Sequence, residues 1–239
     1  MNTSTPQLEL YWLGGSPHAW RVMLALEAKR LPYVSHLLEV SRGDLKTEDY
    51  LRLNPRGKVP TLRHGNLVLA ESLAIMEYLD EAFPAVPLYG RTAHERAHTR
   101  RLVSEGFSYF ADPVLRIIAP IYFGKAAERA ADIRESIPKA HAELERQEAA
   151  LGNAAWFGKD AIGAADVALY PFVKSLLRAA GKEGAAEFEL GLLPFESRYP
   201  RLAAWMDRVE SSPGYERTYP PNWGAPPKAQ RREEAAQAV

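Results

Sequence analysis

The chain has 239 residues, 46% of them hydrophobic and 25% charged, with 30 basic and 30 acidic side chains. This length suffices for a sizeable core in one large or two modest domains. The zero formal net charge gives no electrostatic reason to expect nucleic acid or an anionic membrane as a partner. Cysteine is absent, which excludes disulfides, thiolate metal sites and protein-thiol redox chemistry.

No apolar run approaches the roughly 20 residues that a membrane-spanning helix needs. The first residues also lack a basic segment followed by an apolar one, which is the pattern of a secretory signal. We therefore expect a cytoplasmic protein.

The first part of the chain alternates strand and helix patterns. Residues 7–13 alternate apolar and polar side chains, and residues 14–17, Gly-Gly-Ser-Pro, end this strand and open a helix. Ser16 is the predicted N-cap, and Pro17 suits the first helical position because its missing N–H costs nothing there. Residues 33–40 predict a second strand, so the segment should form a right-handed βαβ unit.

Residues 53–79 concentrate special backbone signals. The Val59-Pro60 bond is predicted to be cis, because a proline at the start of a strand needs a special reason. A tight hairpin is predicted around His64 and Gly65. Glu71 and Ser72 then open a helix, with Ser72 as its cap, and the unpaired N–H groups and dipole there favour an anion. With a carboxylate beside them for an ammonium group, these residues predict a receptor for the end group of an α-amino acid.

This span resembles the glutathione-binding half of the cytosolic glutathione S-transferases, whose Val-Pro and Glu-Ser elements hold the cysteinyl backbone and the γ-glutamyl end of glutathione. The resemblance implies a thioredoxin-like α/β N-terminal domain and an all-α C-terminal domain. Residues 16–22, Ser-Pro-His-Ala-Trp-Arg-Val, are similar to the serine-type classes, nearest zeta and theta. Ser16 is thus the candidate catalytic residue, and Tyr11 on the preceding strand is the alternative activator of the thiol.

The resemblance also assigns residues to glutathione, which would act as a co-substrate. Val59 would dock the cysteinyl amide through its main chain, and Pro60 would shape the turn. Lys58, and as a second candidate Lys46, would meet the glycyl carboxylate. The serine hydroxyl and the N-terminus of its helix would favour the thiolate over the thiol, whose free pKa is about 8.5.

The chain is predicted to divide into a mixed and a helical half. The expected boundaries are a thioredoxin-like domain over residues 7–82, a linker over 83–91, an all-helical domain over 92–212, and an extended or disordered tail over 213–239. A Thr92 and Glu95 capping box opens the helical domain. Four prolines, at 113, 120, 138 and 171, are expected to kink or break its helices.

The helical domain contributes two further expectations. The stretch 157–171 resembles the family's buried helix-start signature, with Gly163 where relatives commonly carry a serine or threonine cap, and Asp166 is assigned to folding. The second substrate should lie against this domain, and the candidate pocket residues are Tyr109, Phe110, Arg116 and Tyr122.

Three functions remain open. The leading one is glutathione transfer to a small apolar electrophile. The second is glutathione-dependent cis–trans isomerisation of an acidic substrate of the maleylacetoacetate or maleylpyruvate type, for which an arginine in the pocket would be suitable. The third is a protein of the same fold that binds glutathione or apolar ligands without turnover. The resemblance further implies a homodimer and a role in detoxification.

Residues 94–98, His-Glu-Arg-Ala-His, match the His-Glu-x-x-His pattern of helical zinc proteases. The neighbouring arginines at 91, 96, 100 and 101 oppose cation binding and indicate a solvated helix face. Glu95 already has a capping role. We therefore expect no metal.

Overall fold

The computed structural model describes residues 7–158 and 160–224. Among these residues, 7–88 and 210–224 form one compact unit and 89–209 form a second. The segment after residue 209 thus belongs to the first unit, whereas the sequence placed residues 210–212 in the helical domain.

The first unit is built on a four-stranded sheet. Its strands are β1 (Leu8–Leu13), β2 (Tyr33–Leu38), β3 (Thr61–His64) and β4 (Leu67–Ala70), in the spatial order β2-β1-β3-β4. The β1 and β2 strands pair in parallel, with Leu8 opposite Tyr33, and the other pairs are antiparallel. The predicted βαβ unit and hairpin are confirmed, although the second strand ends at residue 38 and not 40.

The first unit has four helices, which are α1 (Pro17–Ala28), α2 (Glu48–Leu53), α3 (Ser72–Ala82) and the later α10 (Tyr215–Thr218), together with 3-10 turns at Asp44–Lys46 and Pro221–Trp223. Ser16 caps α1 as predicted, because its Oγ accepts a hydrogen bond from the Ala19 N–H at 3.3 Å. The apolar side of α1 is buried, and this helix packs against α3 and the sheet.

A buried ion pair holds α1 and α3 together. The Lys29 Nζ lies 3.2 Å from the Asp80 Oδ1 and donates to the Val86 carbonyl at 2.6 Å. The same Asp80 oxygen accepts from the Leu88 N–H. This network fixes the two helices whose N-termini carry Ser16 and Glu71.

The second unit is helical. It contains α4 (Ala93–Glu105), a π-helical turn (Gly106–Ala111), α5 (Asp112–Tyr122), α6 (Ala130–Leu151), α7 (Ala164–Ala180), a 3-10 turn (Glu183–Phe188), α8 (Phe195–Arg198) and α9 (Pro200–Glu210), whose last residue lies at the boundary with the first unit. The predicted Thr92 and Glu95 capping box is present. No helix within the described ranges is long and apolar enough to span a membrane.

The four prolines that were expected to kink or break helices all lie within helices of the second unit. Pro113 is the second residue of α5 and follows the π-turn, while Pro120, Pro138 and Pro171 lie inside helices. Since Pro113 has no N–H for the preceding turn, a wider turn at this point is physically reasonable. At Gly106 an added Cβ would lie only 2.4 Å from the Leu169 side chain, so the glycine permits close approach of α4 and α7.

The tail is only partly as expected. The sequence predicted an extended or disordered tail over residues 213–239, but residues 215–218 and 221–223 form helical turns. The correction has a physical cause, because Tyr215 and Thr218 are buried and hold the segment against the first unit. Residues 225–239 lie outside the described residues.

Candidate functional site

Ser16 lies in a tight turn between β1 and α1. Its N–H donates to the Leu13 carbonyl at 3.2 Å, and Gly15 takes the left-handed φ of +83° that this turn requires. Its Oγ accepts from the Ala19 N–H. That contact uses one acceptor position of the hydroxyl and none of its donor capacity, so the side chain can still donate to an anion at the start of α1.

The surroundings of Ser16 favour negative charge. Burial, and to a lesser extent the cationic Arg21 and Lys58, together lower the pKa of His18 to about 4. The imidazole is therefore neutral at pH 7, and the Lys58 charge is close enough to act on the first turn of α1. A cationic field and unpaired helix N–H groups both stabilise an anion.

The cis Val59-Pro60 bond is confirmed, and a hydrogen-bond network holds it in place. The Tyr50 hydroxyl and the Asn54 side-chain amide both donate to the Lys58 carbonyl, at 2.6 and 2.8 Å. The Asn54 amide also donates to the Thr61 Oγ1 at 3.1 Å. With its preceding carbonyl occupied, the Val59 main chain has a fixed orientation.

Sequence reasoning assigned no role in the site to Tyr50, Asn54 or Thr61. Their separation along the chain conceals the network, since Tyr50 is on α2 and Thr61 starts β3. The only local signal was the pairing of an asparagine with a proline in the turn.

The two lysines assigned to glutathione lie near each other. An added Cβ at Gly57, whose φ is +56°, would lie 3.5 Å from the Lys46 Nζ and 2.9 Å from the Leu45 carbonyl. The ammonium group of Lys46 is therefore beside the residue that precedes Lys58, and both lysines are exposed.

At the start of α3 the cap is Glu71 and not Ser72, which corrects the sequence expectation. Glu71 has φ 67° and ψ 105°, and Ser72 is the first helical residue. A positive φ is rare for a residue with a side chain and costs of order 1–3 kcal/mol. Glu71 is exposed, whereas Ser72 is 6% exposed, so the carboxylate faces solvent beside the N–H groups of the first turn.

Tyr11, the alternative thiol activator, has a different setting. Its ring stacks on His36 with centroids 4.4 Å apart, and its hydroxyl donates to the Glu9 carboxylate at 3.4 Å. Burial and the nearby Glu9 charge raise its pKa. A phenol that already faces a carboxylate is poorly suited to stabilise a second anion, which favours Ser16.

The four candidate pocket residues of the helical unit do not share one environment. Phe110 is fully buried and belongs to the core. Arg116 pairs with Asp112 at 2.8 Å, and the Tyr122 hydroxyl donates to the Ser175 carbonyl. Tyr109, which is 62% exposed, lines a cavity. Although these four residues are close in sequence, their side chains point in different directions and do not line one pocket together.

The cavity next to Tyr109 lies within the helical unit and has a volume of about 650 Å³. Its lining includes Arg101, Leu102, Tyr109, Gln147, Phe157 and Leu169. None of the residues assigned to glutathione contributes to it.

The His-Glu-x-x-His pattern has a structural explanation. The Glu95 carboxylate accepts from the backbone N–H groups of Arg91 and Thr92, at 2.6 and 3.1 Å, and these bonds lower its pKa. Its role is therefore to cap α4. Within residues 7–158 and 160–224, no group of three or more potential ligand side chains could hold a metal ion.

Asp166 at the start of α7 is fully buried, in line with the folding role expected for it. Its carboxylate accepts from the N–H groups of Phe157 and Gly163 and from the Trp205 indole, at 3.0, 2.8 and 2.8 Å. Burial raises its pKa to about 6 despite these bonds. The contacts join three parts of the helical unit.

Comparison with known proteins agrees with this architecture. Residues 15–82 match the family model for the glutathione S-transferase N-terminal domain, and residues 110–213 match the model for the C-terminal domain. The chain thus belongs to the glutathione S-transferase family, with a thioredoxin-like α/β domain and a helical domain.

Individual relatives extend over nearly the whole chain. Glutathione S-transferase A of Pleuronectes platessa is 30% identical over 229 residues, which cover 93% of this chain and 96% of the relative. The probable maleylacetoacetate isomerase 2 of Drosophila melanogaster is 30% identical over 91% of this chain and 88% of its own. The crystal structure of a glutathione S-transferase from the Antarctic clam Laternula elliptica superimposes with a TM-score of 0.76 at 28% identity, covering 92% of this chain and 96% of that one.

Proposed function

We propose that this transferase binds glutathione on its first unit and that Ser16 stabilises the glutathione thiolate for attack on a small apolar electrophile. The observation that carries this proposal is the Ser16 hydroxyl, which caps α1 with its donor capacity unused in that contact. The cationic Arg21 and Lys58, whose charges act on His18 in the first turn of α1, supply a field that favours the thiolate.

The roles of the other residues follow from their positions. The Val59 main chain, fixed by Tyr50 and Asn54, would pair with the cysteinyl backbone. Glu71 would bind the γ-glutamyl ammonium, and the N–H groups that begin at Ser72 would bind its carboxylate. Lys58 and Lys46 would then meet the glycyl carboxylate.

The energetic requirement is modest. A free thiol with a pKa of about 8.5 is only a few per cent thiolate at pH 7. Lowering that pKa by about 2 units needs about 2.7 kcal/mol. One charge-assisted hydrogen bond together with a helix N-terminus supplies free energy of this size, and the thiolate then becomes the major species.

Two alanine substitutions separate binding from activation. Ser16→Ala should raise the pKa of the bound thiol by about 1 to 2 units, which lowers the thiolate fraction and the turnover at pH 7 about 3- to 25-fold if the wild-type value is about 6.5. The affinity for glutathione measured below that pKa should stay unchanged. Glu71→Ala should instead weaken glutathione binding and leave the pKa of the bound thiol unchanged. Calorimetry measures the affinity, and the ultraviolet absorbance of the thiolate across pH measures the thiol pKa.

Each half of this experiment has an outcome that contradicts it. Unchanged turnover in Ser16→Ala would remove Ser16 from the mechanism. Unaltered affinity in Glu71→Ala would remove the start of α3 from the glutathione site.

A second candidate function is glutathione-dependent isomerisation, favoured by the relative named as a probable maleylacetoacetate isomerase that aligns over 91% of this chain. Isomerisation regenerates glutathione, whereas conjugation consumes it. Incubating the protein with maleylacetoacetate or maleylpyruvate while measuring free thiol separates the two. Retention on immobilised glutathione without turnover of either substrate class would indicate the third candidate, a binding protein.

We also propose a cytoplasmic homodimer that acts in detoxification, on the strength of family membership alone. Light scattering coupled to size exclusion should give about twice the chain mass of 26.7 kDa. A single-chain mass at all concentrations would contradict the dimer.

A further inference from the structure

The C-terminal segment 215–223 packs against α1 within the first unit. The Trp20 indole donates to the Thr218 Oγ1 at 2.9 Å, and both side chains are buried. The Arg217 Nε donates to the Glu27 carboxylate at 3.1 Å. These contacts join residues 198 and 190 positions apart in the sequence. They hold the segment against α1.

The end of the segment is held by an aromatic cluster. The Trp223 ring meets the Trp20 ring edge-on, with centroids 5.3 Å apart and an interplanar angle of 88°. It meets the Tyr219 ring at 6.0 Å and 90°. Edge-to-face pairs of this kind are favourable beyond the area they bury, so two perpendicular contacts set the orientation of the Trp223 indole.

The Trp223 indole packs against the loop that precedes Ser16. A Cβ added to Gly15 would be 3.1 Å from the Trp223 Nε1, and one added to Gly14 would be 3.1 Å from the Asn222 Oδ1. Gly14 and Gly15 are the only two residues between β1 and Ser16. Gly14 and Gly15 therefore both lie against the C-terminal segment, and a side chain at either position would press on it.

We propose that Trp223 is a positioning residue that fixes the Gly14 and Gly15 loop and thereby the Ser16 hydroxyl. This inference rests on the proposed function, because it concerns the same serine. It adds to that function a dependence on the last described turn of the chain, more than 200 residues from the serine in sequence.

The physical reason is the flexibility of the connection. Two consecutive glycines have more backbone freedom than any other pair of residues, whereas a hydrogen bond to a thiolate requires its donor to be held within about 0.5 Å. The hydrogen bonds on either side of the loop, from Ser16 N–H to Leu13 and from Ala19 N–H to Ser16, restrain its ends. Trp223 and Asn222 restrain its middle.

The first test replaces Trp223 in the full chain and measures the thiol pKa of bound glutathione from the thiolate absorbance across pH. Trp223→Ala should raise this pKa by about 1 unit, which corresponds to about tenfold less thiolate at pH values below it. The affinity for glutathione measured below this pKa should not change, since the γ-glutamyl end would be held at Glu71. Trp223→Phe should restore most of the wild-type pKa because it keeps a ring against Gly15.

Trp156→Ala is the matched control. Trp156 is partly buried like Trp223 but belongs to the helical unit, so its loss should leave the thiol pKa at the wild-type value. A purely structural effect of removing a tryptophan would change thermal stability in both variants and the thiol pKa in neither.

A second pair of variants decides the matter if Trp223→Ala does not fold. Gly14→Ala places a Cβ 3.1 Å from the Asn222 Oδ1, so the Asn222 side chain or the loop must shift by a few tenths of an ångström, and the thiol pKa should rise by less than in Trp223→Ala. The double variant of Gly14→Ala with Asn222→Ala removes the close contact and should restore it. Gly14 does not have a positive φ, so the added Cβ introduces no backbone strain.

The outcomes distinguish this inference from the function on which it rests. A thiol pKa that rises in Ser16→Ala but stays at the wild-type value in Trp223→Ala, or in Gly14→Ala if the former does not fold, overturns the positioning role alone. A thiol pKa that moves in none of these variants overturns the proposed function of Ser16 and the positioning role with it.

Discussion

Glu71 combines an unfavourable backbone conformation with an exposed carboxylate at the start of α3. Its φ of 67° is positive, which costs a residue with a side chain more than it costs glycine. Strain that persists at a candidate binding residue is consistent with a functional constraint on the side chain.

Glu71→Gly should therefore separate stability from binding. Glycine would relieve backbone strain of order 1–3 kcal/mol in the folded protein. It would also give the unfolded chain more conformational freedom, which lowers the stability by about 0.4–1 kcal/mol. The first effect is the larger. We expect unfolding in urea to require about 1 kcal/mol more free energy, while calorimetry shows weaker glutathione binding. A variant that is less stable than wild type would refute the strain argument, and Glu77→Gly inside the same helix is the control that should lose stability.

His18 gives the pH dependence of stability a defined component. Its folded pKa of about 4 lies below the ordinary value of 6.5, so the unfolded chain binds more protons between these two values. The part of the free energy of unfolding that depends on a neutral His18 is fully present above pH 6.5. It is lost as the pH falls towards 4. The shift corresponds to about 3 kcal/mol.

The measurement is urea unfolding of the wild type and of His18→Gln from pH 4.5 to 7.5. Because glutamine does not titrate, the wild type should lose more stability than the variant over this range as the pH is lowered. Parallel curves for the two proteins would show that His18 titrates normally in the folded state.

At the scale of elements, α7 depends on one carboxylate. Asp166 satisfies two backbone N–H groups and the Trp205 indole, all buried. Removing a partner from a buried donor costs about 1–3 kcal/mol for each group left unsatisfied. This start of a helix lacks a serine or threonine cap, since Gly163 stands at that position, so the aspartate alone supplies the side-chain acceptor.

Asp166→Ala should lower the free energy of unfolding by about 3–5 kcal/mol, measured by thermal or urea denaturation at pH 7. Asp112→Ala is the matched control. Its carboxylate is 66% exposed and pairs with Arg116 one turn along α5, and such surface pairs contribute about 0–1 kcal/mol. Equal losses in the two variants would contradict the structural role of Asp166.

Elements also show which expectations fail and why. The π-turn at Gly106–Ala111 was not predicted, because six residues are too few for a shift in the apolar period to be distinguished from a continuous α-helix. The helical turns near the C-terminus were hidden by proline-rich composition, and they form because Tyr215 and Thr218 find partners on α1. Propensity is a weak guide wherever such tertiary contacts decide.

At the scale of the whole molecule, glutathione binding should be coupled to folding. A ligand that binds only the folded protein stabilises it by about 2.7 kcal/mol at 100 times its Kd. For a chain of this length that corresponds to a rise of about 5 °C in the unfolding midpoint. Differential scanning fluorimetry with and without glutathione measures the shift.

Cysteinylglycine, which lacks the γ-glutamyl group, is the control ligand for that experiment. Without the group that Glu71 and the start of α3 would bind, it should give a much smaller shift at the same concentration. Equal shifts for the two thiols would place the recognition elsewhere on glutathione.

Much of the fold and of the glutathione-binding elements could be predicted from the sequence, because their signals are local. The Ser16 cap, the cis Val59-Pro60 bond and the hairpin at residues 65–66 each follow from a few adjacent residues with restricted backbone preferences. The order of these elements along the chain was enough to indicate the family.

Tertiary structure decided the features that join distant segments. Only the folded chain joins Tyr50 to Thr61, stacks Tyr11 on His36, and brings Trp223 onto Gly15. The physical reason is that side-chain direction and long-range proximity depend on the packing of whole elements, which no short pattern encodes. By itself the sequence determined what kind of site begins at Ser16; the packed structure determined which residues hold that serine in place.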